Sequence, residues 1–306
     1  MSSPVQNLVA QARLRVERAR ARYGLVDVAV RTFRRYSEDD GGSYAAALTY
    51  YLFLSIFPLL AFALAALGYA TLGNAELQKD IFNAGLNAAP LLESALTKEG
   101  LEVVAERRQE LATTGLVLAL YSGSGVIVAL EHALNKLNHV VEEPNFVGKR
   151  LRSLLWLAIL GLSAIISVAL SAVGNLTSQI FRSLEPAEDL VAILFYGAGV
   201  IVSVGVFATA YKVLPGKDLG WREVLPGAVL AALLFEILKA VGATYLKAGS
   251  QARAATFGAF AAAAGLLVAS YLICQITLLC AEVNAVLAER RVTRQSLVSG
   301  TQGGSA

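Results

Sequence analysis

Residues 45–69, AAALTYYLFLSIFPLLAFALAALGY, form an apolar stretch without a charged side chain. The hydrocarbon core of a bilayer is about 30 Å thick, so a helix needs about 20 apolar residues to cross it. Since that core holds no water to satisfy free backbone groups, a spanning segment is either a helix or a strand of a closed barrel. The stretch lacks the period-two alternation of a barrel strand and therefore predicts a transmembrane helix.

Similar stretches recur along the chain, and they predict an all-α, polytopic membrane protein with six transmembrane helices. Of the 306 residues, 56% are hydrophobic and 16% are charged, whereas soluble domains average about 45–50% and 25%. The formal net charge of +3 does not imply a nucleic-acid partner. The six predicted spans are 45–69, 111–134, 154–181, 190–214, 224–246 and 257–287.

Lysine and arginine are distributed unequally between the two sides of this predicted bundle. The N-terminal segment, the connections after the second and fourth spans, and the C-terminal tail carry 18 basic residues, against 7 on the other side. Because cytoplasmic flanks retain positive charge, both termini are predicted to be cytoplasmic.

The N-terminal residues 5–33 combine an apolar stripe with several arginines, which predicts an amphipathic helix. Such a helix can lie on the inner leaflet and meet anionic membrane lipids, but a helix packed on the membrane domain or on another subunit has the same spacing. The stripe, at steps of three or four residues, consists of Val5, Leu8, Val9, Ala12, Val16, Ala19, Tyr23, Val26, Val30 and Phe33.

These patterns divide the chain into three regions. Residues 1–42 form a cytoplasmic, arginine-rich amphipathic region, and residues 43–291 form the membrane domain. Within that domain, residues 70–110 have acidic side chains among apolar ones at helical spacing, which predicts an external helical loop. The tail at 292–306 is rich in Ser, Gly and Gln and is predicted to be disordered.

Two charged side chains lie inside the fifth predicted span. Glu236 is at mid-span, and Lys239 follows three residues later on the same helix face. Charges at this depth are costly and usually face a protein interior or a watery cavity. The pair either neutralises itself as a structural link or lines a path for a polar headgroup, an ion or a proton.

A second group of polar side chains lies near the predicted cytoplasmic ends of the second and sixth spans. It consists of Glu131, His132, Glu282 and Asn284. Interfacial hydrogen bonding explains these residues as readily as a functional role does. The two histidines of the chain lack further clustered ligands, so the sequence assigns no metal and no cofactor.

Pro58 lies inside the first span and cannot donate a backbone hydrogen bond to the carbonyl of Leu54. The sequence therefore predicts a kink beside Tyr50, Tyr51 and Ser55. Such a break can serve as a gate or a substrate contact in transporters, but proline is also frequent in membrane helices for structural reasons.

Four motifs in consecutive order carry a family resemblance. They are SYAAALTYYLFLSIFPLLAFALAALG at 43–68, YSGSGVIVALEHALNKLNHV at 121–140, YKVLPGKDLGWREVLPGAVLAALLFEILKAVGATYL at 211–246 and LLCAEVNAVLAERR at 278–291. Together they resemble the YihY/BrkB family of bacterial inner-membrane proteins, formerly mislabelled ribonuclease BN. The resemblance implies six membrane helices with cytoplasmic termini in the bacterial inner membrane.

The functions attached to this family differ among its members, which include virulence factors and candidate transporters of envelope lipids. A nuclease would need clustered carboxylates or histidines in an aqueous domain, and the short cytoplasmic loops lack them. We therefore expect a non-enzymatic transporter or exporter of an amphipathic, lipid-like substrate. The alternative is a structural or scaffolding membrane protein, and the oligomeric state stays open.

Overall fold

The computed structural model describes residues 24–70, 108–140, 185–247 and 250–302, with residues 148, 151, 153–156, 158–159 and 163 between them. These residues contain long helices and no strand, as the all-α class requires. The helices are α1 Gly24–Glu38, α2 Gly41–Ala70, α3 Arg108–Leu137, α4 Glu185–Val213, α5 Trp221–Lys247 and α6 Ser250–Gln302.

Four helices in the described residues are long and apolar enough to cross a membrane. They correspond to the first, second, fifth and sixth predicted spans. Of the other two predictions, the fourth overlaps α4, which has a shorter apolar part at Gly197–Val213, and the third at 154–181 lies mostly outside the described residues. The four spans are Gly41–Phe62, Thr113–Leu137, Trp221–Gly242 and Ala263–Arg291.

Helix α6 is the central element of the described bundle, since it contacts α1, α2, α3 and α5. The remaining pairs in contact are α2 with α3, α4 with α5 and, less extensively, α1 with α2. Small residues allow the close approach of α2 and α3, as is common between membrane helices. A Cβ on Gly115 would lie 3.4 Å from the backbone nitrogen of Phe62, and one on Gly125 would lie 3.4 Å from the Tyr51 ring.

The helix ends predicted to be cytoplasmic lie together at one end of this bundle. Arg290 of α6 donates to the carbonyl of Gly24 at 3.1 Å, which joins the end of the apolar span of α6 to the start of α1. The backbone N–H of Gly216 donates to Asn135 Oδ1 at 2.8 Å, which joins the α4–α5 connection to the end of α3. The grouping of these ends agrees with the predicted topology, and the membrane side they face stays a prediction.

Helix α1 turns its polar side toward the protein. Asp27 and Thr32 are buried, whereas the side chains of Leu25 and Phe33 are 85% and 65% exposed. Leu25 and Phe33 thus point away from the bundle. Residues 5–23 of the predicted amphipathic helix lie outside the described residues, as does the external loop from 71 to 107.

The C-terminal helix is longer than its apolar pattern predicts. The sequence predicts a disordered tail from residue 292, whereas α6 is helical to Gln302. Only residues 303–306 of that tail lie outside the described residues.

The start of α5 depends on side chains from α6. Pro226 has no N–H, so the carbonyl of Arg222 lacks its helical donor, and Arg291 donates to that oxygen at 2.8 Å instead. The next N–H, of Gly227, donates to Asn284 Oδ1 at 2.6 Å. Both bonds fasten the first turns of α5 to α6.

Gly227 is also a point of close approach between these helices, so we expect Gly227→Ala to destabilise the protein. An added Cβ would meet the Cys280 carbonyl oxygen and lie 2.6 Å from Asn284 Cγ. Overpacking of this kind costs about 1–3 kcal/mol, which should lower the thermal unfolding midpoint in detergent. Gly205→Ala is the matched control, because no atom lies within 4 Å of its added Cβ. Equal midpoints for the two variants would contradict this packing.

The predicted topology can be tested by cysteine labelling at two exposed lysines of the shared end, Lys136 and Lys217. The buried native cysteines, Cys274 and Cys280, are first replaced by alanine. With a membrane-impermeant maleimide on intact cells, we expect Lys136→Cys and Lys217→Cys to stay unlabelled until the membrane is permeabilised. Lys98→Cys, in the predicted external loop, is the control that should react without permeabilisation. Labelling at 136 or 217 in intact cells would contradict the topology.

Candidate functional site

The two charged residues of the fifth span form an ion pair in the structure. Lys239 Nζ lies 2.6 Å from Glu236 Oε1, although the angle is outside hydrogen-bond geometry. Glu236 is buried, whereas the Lys239 side chain is 26% exposed and its ammonium lies 5.1 Å from the centre of the Phe235 ring. The acid thus faces the protein interior while the base reaches its edge.

The α2 residues predicted to line a path do not share one environment. Tyr50 and Tyr51 are exposed and their rings meet edge to face at 5.5 Å. Ser55 is buried, and its hydroxyl donates to the carbonyl of Leu52 at 2.8 Å. Pro58 lies inside the continuous helix α2.

The α2 segment and the α5 ion pair also lie on different helix pairs. Helix α2 packs against α3 and α6, whereas α5 packs against α4 and α6. The two candidate regions are therefore connected through α6 rather than placed face to face.

The four polar residues near the ends of the second and sixth spans have separate surroundings. Glu131, Glu282 and Asn284 are buried, and His132 is exposed beside Tyr44, with 5.8 Å between the ring centres. Within the described residues, no group of three or more His, Cys, Asp and Glu side chains is placed to hold a metal ion.

Glu282 is the centre of an interhelical junction made by Arg35 of α1. Arg35 Nε lies 3.0 Å from Glu282 Oε2, in ion-pair contact although outside hydrogen-bond geometry. One terminal nitrogen donates to the carbonyl of Leu137 at 3.1 Å, and the other donates to Glu289. The Leu137 carbonyl is at the end of α3, where a helix has free acceptors and attracts positive charge. One guanidinium therefore connects α1, α3 and α6.

A second ion pair fixes α1 nearer its start. Arg290 of α6 bonds the carboxylate of Asp27, which also lies 2.9 Å from Arg31 Nε. Asp27 is buried among these arginines, so its charge is neutralised in place.

A polar chain lies on the same side of α6. The Tyr36 hydroxyl donates to Gln275 Oε1 at 2.5 Å, and Gln275 Nε2 donates to the Tyr271 hydroxyl at 2.5 Å. Burial raises the pKa of the Tyr36 hydroxyl above its ordinary value, and the nearby Tyr271, Cys274 and Glu282 raise it further. Tyr36 thus remains a hydrogen-bond donor across the physiological pH range.

Two buried asparagines bind two Leu-Pro-Gly segments in the same way. Asn135 of α3 accepts from the N–H of Gly216, and Asn284 of α6 accepts from the N–H of Gly227. In each case the glycine follows a proline, at 214–216 and 225–227. The polar pattern of the sequence indicated Asn284 as a candidate but did not indicate Asn135, Asp27 or Arg35. The repeated tripeptide was the available signal for Asn135.

The fold and this network define a polytopic helical membrane protein whose polar side chains connect its helices. The profile of the family described as Virulence factor BrkB matches residues 32–302. The chain therefore belongs to the BrkB family, as its motifs suggested.

Several curated proteins are similar over most of this chain. The ribonuclease-like protein YfkH of Bacillus subtilis is 28% identical over 85% of this chain and 94% of its own length. The inner membrane protein YhjD of Escherichia coli is 26% identical over 82% of this chain and 78% of its own. The UPF0761 membrane protein Bxeno_A3061 of Paraburkholderia xenovorans is 27% identical over 85% of this chain and 59% of its own length. Comparison with solved structures gives no match.

The junction around Arg35 predicts a large difference between neighbouring arginines. Arg35→Met leaves the Glu282 carboxylate buried without its guanidinium, and removing one partner of a buried pair costs about 3–5 kcal/mol. The matched control is Arg34→Met, whose pair with Glu38 has side chains 73% and 60% exposed. Exposed pairs of this type contribute about 0.5 kcal/mol or less.

Thermal unfolding in detergent measures both effects. The double variant Arg35→Met with Glu282→Leu should recover much of the loss, because it leaves no buried charge unpaired. If Arg35→Met and Arg34→Met unfold at the same temperature, the Arg35 contacts do not stabilise the junction of α1, α3 and α6.

Proposed function

We propose that this membrane protein moves an amphipathic, lipid-like substrate, and that Glu236 and Lys239 are its polar contact within the spans. The observation that carries the proposal is the buried ion pair in the fifth predicted span. Ionisable groups inside membrane spans are costly, and they commonly mark substrate or ion pathways. The Lys239 ammonium at the edge of the protein can contact an anionic group, and the Glu236 carboxylate inside it can contact a cationic group.

The chemistry of such a site is an exchange of partners. An anionic headgroup beside Lys239 competes with Glu236 for the ammonium, and it can do so because the lysine side chain is partly exposed. Glu236 keeps its buried position while the headgroup contacts the ammonium. The protein acts as a carrier in this proposal and catalyses no covalent step.

A structural or scaffolding role is the second candidate, and a specific observation favours it. Arg35, Asn135 and Asn284 form bonds between helices at one end of the bundle. A protein that only needs to hold its helices in place would use polar residues in this way. The Glu236–Lys239 pair distinguishes the two candidate functions. Both residues belong to α5, so their ion pair does not hold two helices together.

The decisive variants are Glu236→Gln, Lys239→Met and a double replacement of both residues by leucine. Lys239→Met should destabilise the protein by about 3 kcal/mol, because the Glu236 carboxylate then stays buried without a partner. The double replacement should fold with a near-native unfolding midpoint and lose translocation of a fluorescent phospholipid analogue in proteoliposomes. Ile237→Leu, on the lipid-facing side of α5, is the control that should leave both measurements unchanged. A stable double variant with full translocation would remove the pair from the path.

We also propose that residues 5–33 lie on an anionic membrane surface. Leu25 and Phe33 point away from the bundle, which leaves apolar side chains for the lipid while the polar side of α1 is engaged by α6. The arginines of this region add an attraction to anionic headgroups.

A peptide of residues 5–33 should therefore become helical with anionic vesicles and much less so with neutral vesicles, as measured by circular dichroism. A peptide with its arginines replaced by glutamine is the control for the electrostatic part. Equal helicity in both lipids would instead favour packing of this helix on protein.

A further inference from the structure

A cavity of about 520 Å³ lies beside α1 at the end of the bundle where α3 and α6 meet it. Its walls combine three guanidinium groups with three carboxylates. The residues are Arg31, Arg34, Arg35, Glu38, Asp39 and Glu289. With His139 also in the wall, the cavity offers hydrogen-bonding groups of both charges rather than an apolar surface.

The balance of charge limits what this cavity can bind. A simple anion would be attracted by the arginines but repelled by the carboxylates. A simple cation would be attracted by the carboxylates but repelled by the arginines. A ligand that carries both charges a few bonds apart can satisfy the two sets of groups together. The cavity is therefore complementary to a zwitterion.

Some of these groups are committed within the protein, and others are available. Arg35 lines the cavity, but it already donates to the Leu137 carbonyl and to Glu289. Arg34 and Glu38 pair with each other at 3.0 Å on the surface. Exposed ion pairs are weak, so both members can exchange partners with a ligand. A guanidinium suits a phosphate, and a carboxylate suits an ammonium that retains N–H donors.

The position of the cavity indicates that the zwitterion is part of a lipid. Glu289 lies in the last turn of the candidate span Ala263–Arg291, so the cavity lies at the end predicted to meet the membrane surface. Gln275 and Glu282 precede Glu289 at intervals of seven residues and share its helix face. Through Gln275 the polar chain reaches Tyr271, which is 37% exposed on the outer surface of α6. A headgroup in the cavity can leave its acyl chains in the adjoining bilayer.

We infer that the cavity binds a phospholipid headgroup bearing both a phosphate and a primary ammonium, with Arg34 contacting the phosphate and Glu38 the ammonium. This inference rests on the proposed function only for its amphipathic class of ligand. It assigns a binding site apart from Glu236 and Lys239.

Native mass spectrometry of the purified full chain tests the inference directly. The protein is mixed with equal amounts of phosphatidylethanolamine, phosphatidylglycerol and phosphatidylcholine in detergent, and retained lipid is counted. We expect phosphatidylethanolamine to be retained over the other two, because phosphatidylglycerol lacks the ammonium and phosphatidylcholine lacks its N–H donors. Glu38→Gln should lose the preference over phosphatidylglycerol, and Arg34→Gln should lose retained phosphatidylethanolamine.

The matched controls are Asp218→Asn and Lys217→Gln, which remove exposed charges from the same end of the bundle but outside the cavity. Both should keep the wild-type pattern. The inference is overturned if the wild type shows no headgroup preference, or if Glu38→Gln and Asp218→Asn behave alike.

A second measurement separates a lipid from a free headgroup. Soluble glycerophosphoethanolamine should bind far more weakly than the intact lipid, because it lacks the acyl chains that remain in the bilayer. Equal binding of the soluble compound would show a water-soluble ligand and overturn the lipid assignment. Glu236 and Lys239 are unchanged in every variant, so a failure of headgroup binding is distinct from a failure of the proposed transport path.

Discussion

The Arg35 guanidinium is the contact on which the described arrangement of helices depends. It joins the carboxylate of Glu282 inside the last span to the free carbonyl of Leu137 at the end of α3. Either acceptor alone would be costly to bury, since carboxylates and backbone carbonyls need partners away from water. One guanidinium neutralises the carboxylate and donates to the carbonyl, and it thereby fixes α1 against the membrane domain.

The surroundings of this contact explain why α6 is central. Along the last turns of its apolar span, Asn284 accepts from α5, Arg291 donates to the Arg222 carbonyl, and Arg290 pairs with Asp27 of α1. Polar groups cluster at this end because bonds near the membrane surface cost less to form than bonds at mid-depth. The Glu236–Lys239 pair is the exception in depth, and for that reason it is the stronger candidate for a function beyond packing.

Local patterns in the sequence predicted the features that depend on local physics. Four spans follow from apolar length, and the contact of Lys239 with Glu236 follows from their spacing on one helix face. Arg35 could not be assigned in this way, because it bonds a residue 254 positions away. The periodicity of α1 showed that the helix has two faces, but not that Asp27 would turn inward while Phe33 turned outward. The orientation of α1 depends on charged residues of α6, which are far from α1 in the sequence.

The placement of these partners has a consequence for biogenesis. Residues 282–291 are synthesised after the first five described helices, yet they supply the acceptor for Arg35, the donor for the Arg222 carbonyl and the acceptor for Gly227. Until the ribosome has delivered this segment, the earlier helices hold polar groups that only water at the membrane surface can solvate. Assembly of the described bundle is therefore completed from its C-terminal side. A nascent chain that stalls before α6 exposes an arginine without its Glu282 partner and an Arg222 carbonyl without its donor, which are features that membrane quality control can recognise.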